Sequence, residues 1–426
     1  MRNFPEVVTQ EFVLLGPSTP TLRCVAEPPP VRFATELAGH LHDRWADDPA
    51  VTDSFGGRDT FTRSLEQVDV LDEVFRRAGA DYFQLGGTPA EASQNFAATQ
   101  LKYRRIGVRP SLPGQVAHHL DQIALPRGDP HYRAALLVAA RAELEHPSRP
   151  EYHNAYHFSD VIAATIEFLK KNNTLAVESA HGAIKLSRQE LAIGIIAAAG
   201  HDAGHPGGKN ALPGESSAPD PFRLERRSAS IVAPLLRAAQ LPFASAARIT
   251  AAILATSPDC NGPARLLKEI DRLHDAGELI EWSKLPLHEE FPELRLVAED
   301  PVTRVIAQNL RCADLAQSCL FGTESNQIAT HALQNEWSGR GYSDMLLGDT
   351  VAGDGKVIPG GKTVRARMGF LDFGAFGESG PTAAGARAAV GQNYADLYAD
   401  SKVRLDSVLA QEKLHAVVPI GFDPVA

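Results

Sequence analysis

The run Leu191-Ala192-Ile193-Gly194-Ile195-Ile196-Ala197-Ala198-Ala199 constrains the fold of this 426-residue chain more than any other feature. Ser187 and Glu190 form the Ser-x-x-Glu capping box that opens a helix just before it. A helix that is apolar on every face has to be buried all round. Other helices must therefore surround it, and the chain supplies them. Residues 34–46, 62–77, 130–145, 158–171, 222–240, 244–256, 300–320, 324–337 and 381–413 show apolar spacing nearer 3.6 than 2, or Ala/Leu-rich helix-forming composition, as does 187–200 around the run itself. Strand-like alternation is scarce, with Val7–Leu15 the best stretch. The fold expected is all-α, a bundle of many helices with an N-terminal extension whose role is open.

Composition closes off other classes. With 44% hydrophobic and 22% charged residues the chain can bury a sizeable core, which excludes disorder as its main state. No window reaches the ~18 apolar residues that a membrane span needs. The short apolar run Phe12–Leu15, flanked by Glu6 and Glu11, does not read as a signal peptide, so a cytoplasmic location is expected. Cys24, Cys260, Cys312 and Cys319 are too scattered for a disulfide framework or a zinc knuckle. A net charge of −10, and no basic stripe with interleaved aromatics, argue against a nucleic-acid partner. Pro28-Pro29-Pro30, Gly56-Gly57, Gly86-Gly87 and the stretch Gly348–Gly361 mark joints, the last of them read as a flap near a pocket mouth. Two regions are expected: 1–110, serving packing or a homodimer contact, and a helical body over 111–426. His40 and His42, in the first, read as surface residues.

Three segments carry chemistry. Tyr152-His153-Asn154-Ala155-Tyr156-His157 runs into the helix of Val161, Ile162, Ile166 and Leu169. Its two histidines, four apart, fall one turn apart on one face if the helix already starts there. His201-Asp202-Ala203-Gly204-His205-Pro206-Gly207 closes the all-apolar helix. A carboxylate in so dry a place is costly unless it is paired or bound to a cation. In the third, Asp300 and Pro301 read as N-cap and first residue of a helix whose inward stripe is Val302, Val305, Ile306, Leu310 and Ala313, with Asp314 on the same stripe. Any one of these residues alone is more often a hydrogen-bonded core group than a ligand. Jointly, two or more imidazoles and hard carboxylates suit zinc, iron or manganese rather than calcium.

In chain order, His153-Asn154-x-x-His157-x-x-Asp160, His201-Asp202-x-x-His205-Pro206-Gly207 with Asn210, Cys312-Ala313-Asp314-Leu315 and Met368-Gly369-Phe370-Leu371-Asp372-Phe373 resemble the catalytic domain of class I cyclic nucleotide phosphodiesterases, within the HD-domain phosphohydrolases. The resemblance spans roughly 115–415. It implies an HD/phosphodiesterase-type bundle and two divalent ions. The first, typically zinc, would be held by His157, His201, Asp202 and Asp314. The second, magnesium or manganese, would share Asp202. It further implies hydrolysis of a small-molecule phosphoester, a 3′,5′-cyclic nucleotide above all, by a hydroxide bridging the ions. His153 matches the general acid, and Glu225 the acid behind it and behind the second ion's water shell. Tyr152, His205 and Asn210 match supporting positions, while Gln317, Arg367 and Phe370 fall where substrate is bound.

The chain departs from that pattern where the purine-reading glutamine would stand, at Arg367. An amide donates and accepts, whereas a guanidinium only donates. Arg367 therefore suits guanine acceptors, or an anionic group on a different phosphoester, unless it turns to solvent. Ser257 stands where an aspartate is usual, and Ser228 where a histidine is. Two alternatives follow: a hydrolase for a phosphoester other than cyclic AMP or GMP, and a non-catalytic ligand sensor, against which the intact His153, Glu225 and four ligand positions argue.

Overall fold

The computed structural model describes residues 39, 41–78, 91, 95, 98–99, 102–103, 105–145, 151–178, 184–215, 218–258, 262–315, 323–342, 346–352, 354–375 and 380–416. Its long helices are α1 (Arg58–Arg77), α2 (Leu112–Gln122), α3 (Pro130–Ala142), α4 (Ala155–Glu178), α5 (Arg188–Gly200), α6 (Arg223–Ala238), α7 (Phe243–Leu254), α8 (Pro263–Asp275), α9 (Pro301–Leu315), α10 (Thr323–Gly339), α11 (Gly361–Ala375) and α12 (Ala384–Ala416). The protein is an all-α bundle. Val7–Leu15, the expected strand, lies outside the described residues, as do His40, Cys24, Cys260 and Cys319.

Helix α5 is the axis of the bundle. Both halves of its capping box form, Ser187 Oγ accepting from Glu190 N and the Glu190 carboxylate from Ser187 N. Every residue from Leu191 to Gly200 is buried, with α3, α4, α7 and α9 packed around it. Each fully buried Leu or Ile contributes roughly 1.5–3 kcal/mol by leaving water. Asp300 caps α9, accepting from Thr303 N at 3.3 Å, with Pro301 as the first helical residue. Helix α12 lies along α4, and the approach needs a glycine: a Cβ on Gly385 would sit 1.8 Å from the Phe168 carbonyl oxygen.

Three of these long helices fall outside the windows read from sequence. Helix α2 starts with Leu112-Pro113-Gly114, a sequence that reads as a break; Ser111 caps it by accepting from Gly114 N, and Pro113 fits the first turn. Helix α8 likewise opens with a proline, and α11 grows out of the glycine-rich stretch. That stretch itself forms a short antiparallel hairpin, Thr350–Val351 against Val357–Ile358. Ala352 and Ile358 pack on Val408 of α12, so the segment read as a flap has a small core of its own.

The described part of region 1–110 shares the main hydrophobic core, through Leu41, Trp45, Phe55, Phe61, Leu65 and Phe75. Polar contacts stitch it to the body. Ser64 Oγ donates to Ala140 O at 3.1 Å, Asp72 accepts from Ser111 N at 2.9 Å, and Arg141 Nε donates to Ser54 O at 2.7 Å. His42 is partly exposed. Among the described residues, no helix is long and apolar enough to cross a membrane.

Candidate active site

The three chemical segments meet at the ends of α4, α5 and α9. Helix α4 begins at Ala155, capped by Asn154, whose Oδ1 accepts from Tyr156 N and His157 N. His153 therefore precedes the helix instead of lying on its face, though its ring still lies 5.7 Å from that of His157. His201 ends α5, and a tight turn from Asp202 O to His205 N carries the chain away. Asp314 lies in the last turn of α9.

One atom each from His157, His201, Asp202 and Asp314 falls within a 4.8 Å cluster. His157 Nε2 is 3.3 Å from Asp202 Oδ2 and 3.2 Å from Asp314 Oδ1; His201 Nε2 is 3.1 and 3.5 Å from the same two atoms. The two Nε2 atoms are 3.3 Å apart. A carbonyl only accepts, so His201 Nδ1 donates its proton to Ala198 O at 2.8 Å and leaves the Nε2 lone pair for the centre. Two imidazole nitrogens and two carboxylate oxygens converging in a buried spot is the donor chemistry of a divalent transition metal, and the residues fit one. Without a cation the two imidazoles carry the positive charge that the carboxylates face. Burial opposes charge on His201, yet Asp202 and Asp314 raise its pKa well above the ordinary value; His201 and His153 hold Asp202 well below its own, against burial.

Next to this cluster stands a second group, His153, His205 and Glu336. The acid behind His153 is Glu336, not Glu225: Glu336 Oε1 is 2.7 Å from His153 Nδ1. Glu336 also accepts from Tyr152 N and His153 N, both at 3.1 Å, and from Gly208 N at 2.9 Å. Four donors saturate that carboxylate, so it orients His153 in preference to binding a cation. Burial would strip His153 of its proton, but Glu336 and Asp202 outweigh it and raise the pKa to about 9. Burial would likewise raise Glu336, yet the facing His153 charge brings it down to about 2. His153 Nε2 is left pointing toward the cluster, 4.0 Å from Asp202 Oδ2. His205 stacks on His153 with centroids 3.8 Å apart and accepts from Gly207 N through Nδ1; burial and the His153 charge push its pKa down to about 3, keeping it neutral. The Tyr152 ring contacts both His153 and His157.

Glu225 is buried in the first turn of α6, where Asn210 Nδ2 donates to it at 3.0 Å. Burial pushes its pKa up to about 8, with Asp202 and Asp314 adding to the rise against the Asn210 bond. The serines that replace chemical residues serve the scaffold: Ser257 Oγ donates to Pro221 O and Ser228 Oγ to Leu224 O. Of the substrate positions, Arg367 is buried in α11, which rules out the solvent-facing reading. Gln317 and the side chain of Phe370 lie outside the described residues.

Two further residues went unread in the sequence. Glu336 stands three after the buried Leu333, the same inward-acid signal that drew attention to Asp314. Glu145 accepts from Gly204 N at 2.7 Å and so ties down the turn between Asp202 and His205; Arg141 Nη1 donates to the same carboxylate oxygen at 3.3 Å. Gly204 itself requires glycine, at φ +73° with Ile231 Cδ1 2.3 Å from where a Cβ would lie.

Residues 152–220, the stretch that carries Tyr152, His153, His157, His201, Asp202, His205 and Asn210, match the family of the 3′5′-cyclic nucleotide phosphodiesterases, which are phosphoric diester hydrolases. No curated protein matches the chain.

Proposed function

We propose that the protein hydrolyses a 3′,5′-cyclic nucleotide to its 5′-monophosphate, with His153 as general acid. The observation that carries this reading is one juxtaposition: four convergent donors on His157, His201, Asp202 and Asp314, with the Glu336-backed imidazole of His153 beside them. When bound there, divalent cations lower the pKa of water toward neutrality and neutralise charge on phosphoryl oxygens. The chain's own part is proton placement. With its pKa raised to about 9, His153 carries a proton at pH 7. Nδ1 holds one N–H toward Glu336, so the other N–H is at Nε2, facing the cluster, where a departing ribose alkoxide needs it. The neutral His205 stacked on His153 fixes the ring plane without adding a competing charge. Glu225, held by Asn210 and sensing the charges of Asp202 and Asp314, is read as facing the second ion's water shell.

Zinc at the first site and magnesium or manganese at the second, shared through Asp202, belong to the same proposal. So do a cytoplasmic setting, a homodimer and the division of the chain at residue 110. The buried Arg367, standing where the resemblance places a glutamine, supports a second reading of the substrate, a phosphoester other than cyclic AMP or GMP whose anionic group a guanidinium holds. Assay of the purified protein with Zn²⁺, Mg²⁺ or Mn²⁺ against cyclic AMP, cyclic GMP and a panel of phosphoesters decides between them. Turnover of a cyclic nucleotide supports the first reading; turnover confined to other phosphoesters supports the second; none at all overturns both.

A further inference from the structure

Away from this centre, a carboxylate, an imidazole and a hydroxyl form a hydrogen-bonded chain. His131 Nδ1 lies 2.8 Å from Asp129 Oδ1, and His131 Nε2 lies 3.0 Å from Ser245 Oγ. A carboxylate only accepts, so Nδ1 carries the proton of the neutral ring and Nε2 accepts from the Ser245 hydroxyl. That is the protonation a serine nucleophile needs: a base within reach, oriented by an acid. Asp129 is itself fixed, accepting from His131 N at 2.8 Å through the same oxygen and from Gln189 Nε2 at 3.2 Å through the other. His131 is buried, whereas Asp129 and Ser245 are partly open.

The backbone adds a second requirement of acyl transfer. Ser245 is the third residue of α7, whose N-cap Pro242 offers no capping side chain; the first bond onto Pro242 O comes from Ala246 N. The N–H groups of Phe243, Ala244 and Ser245 thus have no partner within the helix, at the end where its dipole favours negative charge. Phe243, two residues before Ser245, is 88% exposed and offers apolar surface for an acyl or aryl group.

From this geometry we infer that Ser245, His131 and Asp129 form a second, esterolytic site acting on small uncharged carboxylic esters. Ser245 Oγ bonds to the acyl carbon while its proton passes to His131 Nε2. The imidazolium returns that proton to the departing alkoxide, giving the alcohol and an acyl-serine. Water then gives a proton to His131 and its oxygen to the acyl carbon. The Ser245 O–C bond breaks, the proton returns to Ser245, and the carboxylic acid leaves. The amides of Ala244 and Ser245 meet the oxyanion of each half-reaction.

The test uses the whole chain, in EDTA so that the metal centre stays silent. It reads labelling by a fluorophosphonate probe through peptide mass spectrometry, and hydrolysis of p-nitrophenyl acetate. The inference expects label on Ser245 in the wild type, and ester hydrolysis that falls about 10²-fold in His131→Gln and to background in Ser245→Ala. An unlabelled Ser245 in the folded wild type overturns it and shows that His131 merely pins α3 to α7. Label elsewhere, or ester hydrolysis unchanged in Ser245→Ala, does the same. The phosphodiesterase reading stands or falls separately, because none of its residues takes part.

Discussion

Nδ1 of His153 and Oε1 of Glu336 meet at 2.7 Å across 183 positions of sequence. The contact joins the start of α4 to the end of α10, and it decides which proton His153 can give away. Replacing Glu336 by Gln keeps the shape and removes the charge. The His153 pKa, about 9 in the metal-free protein, should fall in Glu336→Gln, read by NMR titration of the imidazole. Turnover should drop by about 10–100-fold with KM little changed. His153→Ala should lose about 10²–10⁴-fold while retaining its metal.

Glu145 holds the loop that carries Asp202 and His205 by one bond to Gly204 N, and Arg141 links it onward to the Ser54 carbonyl. Glu145→Ala should release the turn and weaken metal retention by about 10–100-fold in a chelator competition. Glu145→Gln, which still presents an acceptor oxygen, should restore most of it. Equal loss in both variants would point to the charge and not the hydrogen bond.

Close packing of α12 on α4 rests on the absence of a side chain at 385. Gly385→Ala must push the helices apart, since the added carbon would lie 1.8 Å from Phe168 O. Ile195→Ala, in the middle of α5, leaves a cavity instead and should cost roughly 2–5 kcal/mol in denaturant unfolding. The two substitutions act through opposite defects, overpacking and void.

Stability of the metal-stripped protein should fall as pH rises from about 6 to 9. His153 has a folded pKa of about 9 against an unfolded value near 6.5, so its contribution is complete below 6.5 and is lost on the way to 9. Glu225 works in the same direction: its pKa of about 8 means that the folded state keeps a proton which the unfolded chain releases near 4.5. Chemical unfolding of the EDTA-treated protein at pH 6 and pH 9 checks the sign, and Glu225→Gln should flatten the slope.

What the sequence made legible, and what it hid, follows from range. The capping box at Ser187, the proline start after Asp300 and the all-apolar Leu191–Ala199 run act within one helix, so their helices could be read directly. The three chemical segments could be read because each places His or Asp at the start, end or inner face of an apolar helix, and the resemblance singled out His157, His201, Asp202 and Asp314 among them. Glu336 and Glu145 act on backbone and side chains 59 to 184 positions away, and no local pattern says which partner they reach. Glu225 was assigned to His153 by resemblance, and the chain instead places it on Asn210. Helix α2 was hidden by Pro113-Gly114, residues that break helices in the interior but suit a first turn.

Crystals of the protein purified without chelator and measured at the zinc absorption edge test the central claim most directly. An anomalous peak is predicted within about 2.0–2.2 Å of the Nε2 atoms of His157 and His201 and of carboxylate oxygens of Asp202 and Asp314. A map with the four side chains in place and no peak among them, or with the ion held elsewhere, would contradict the account.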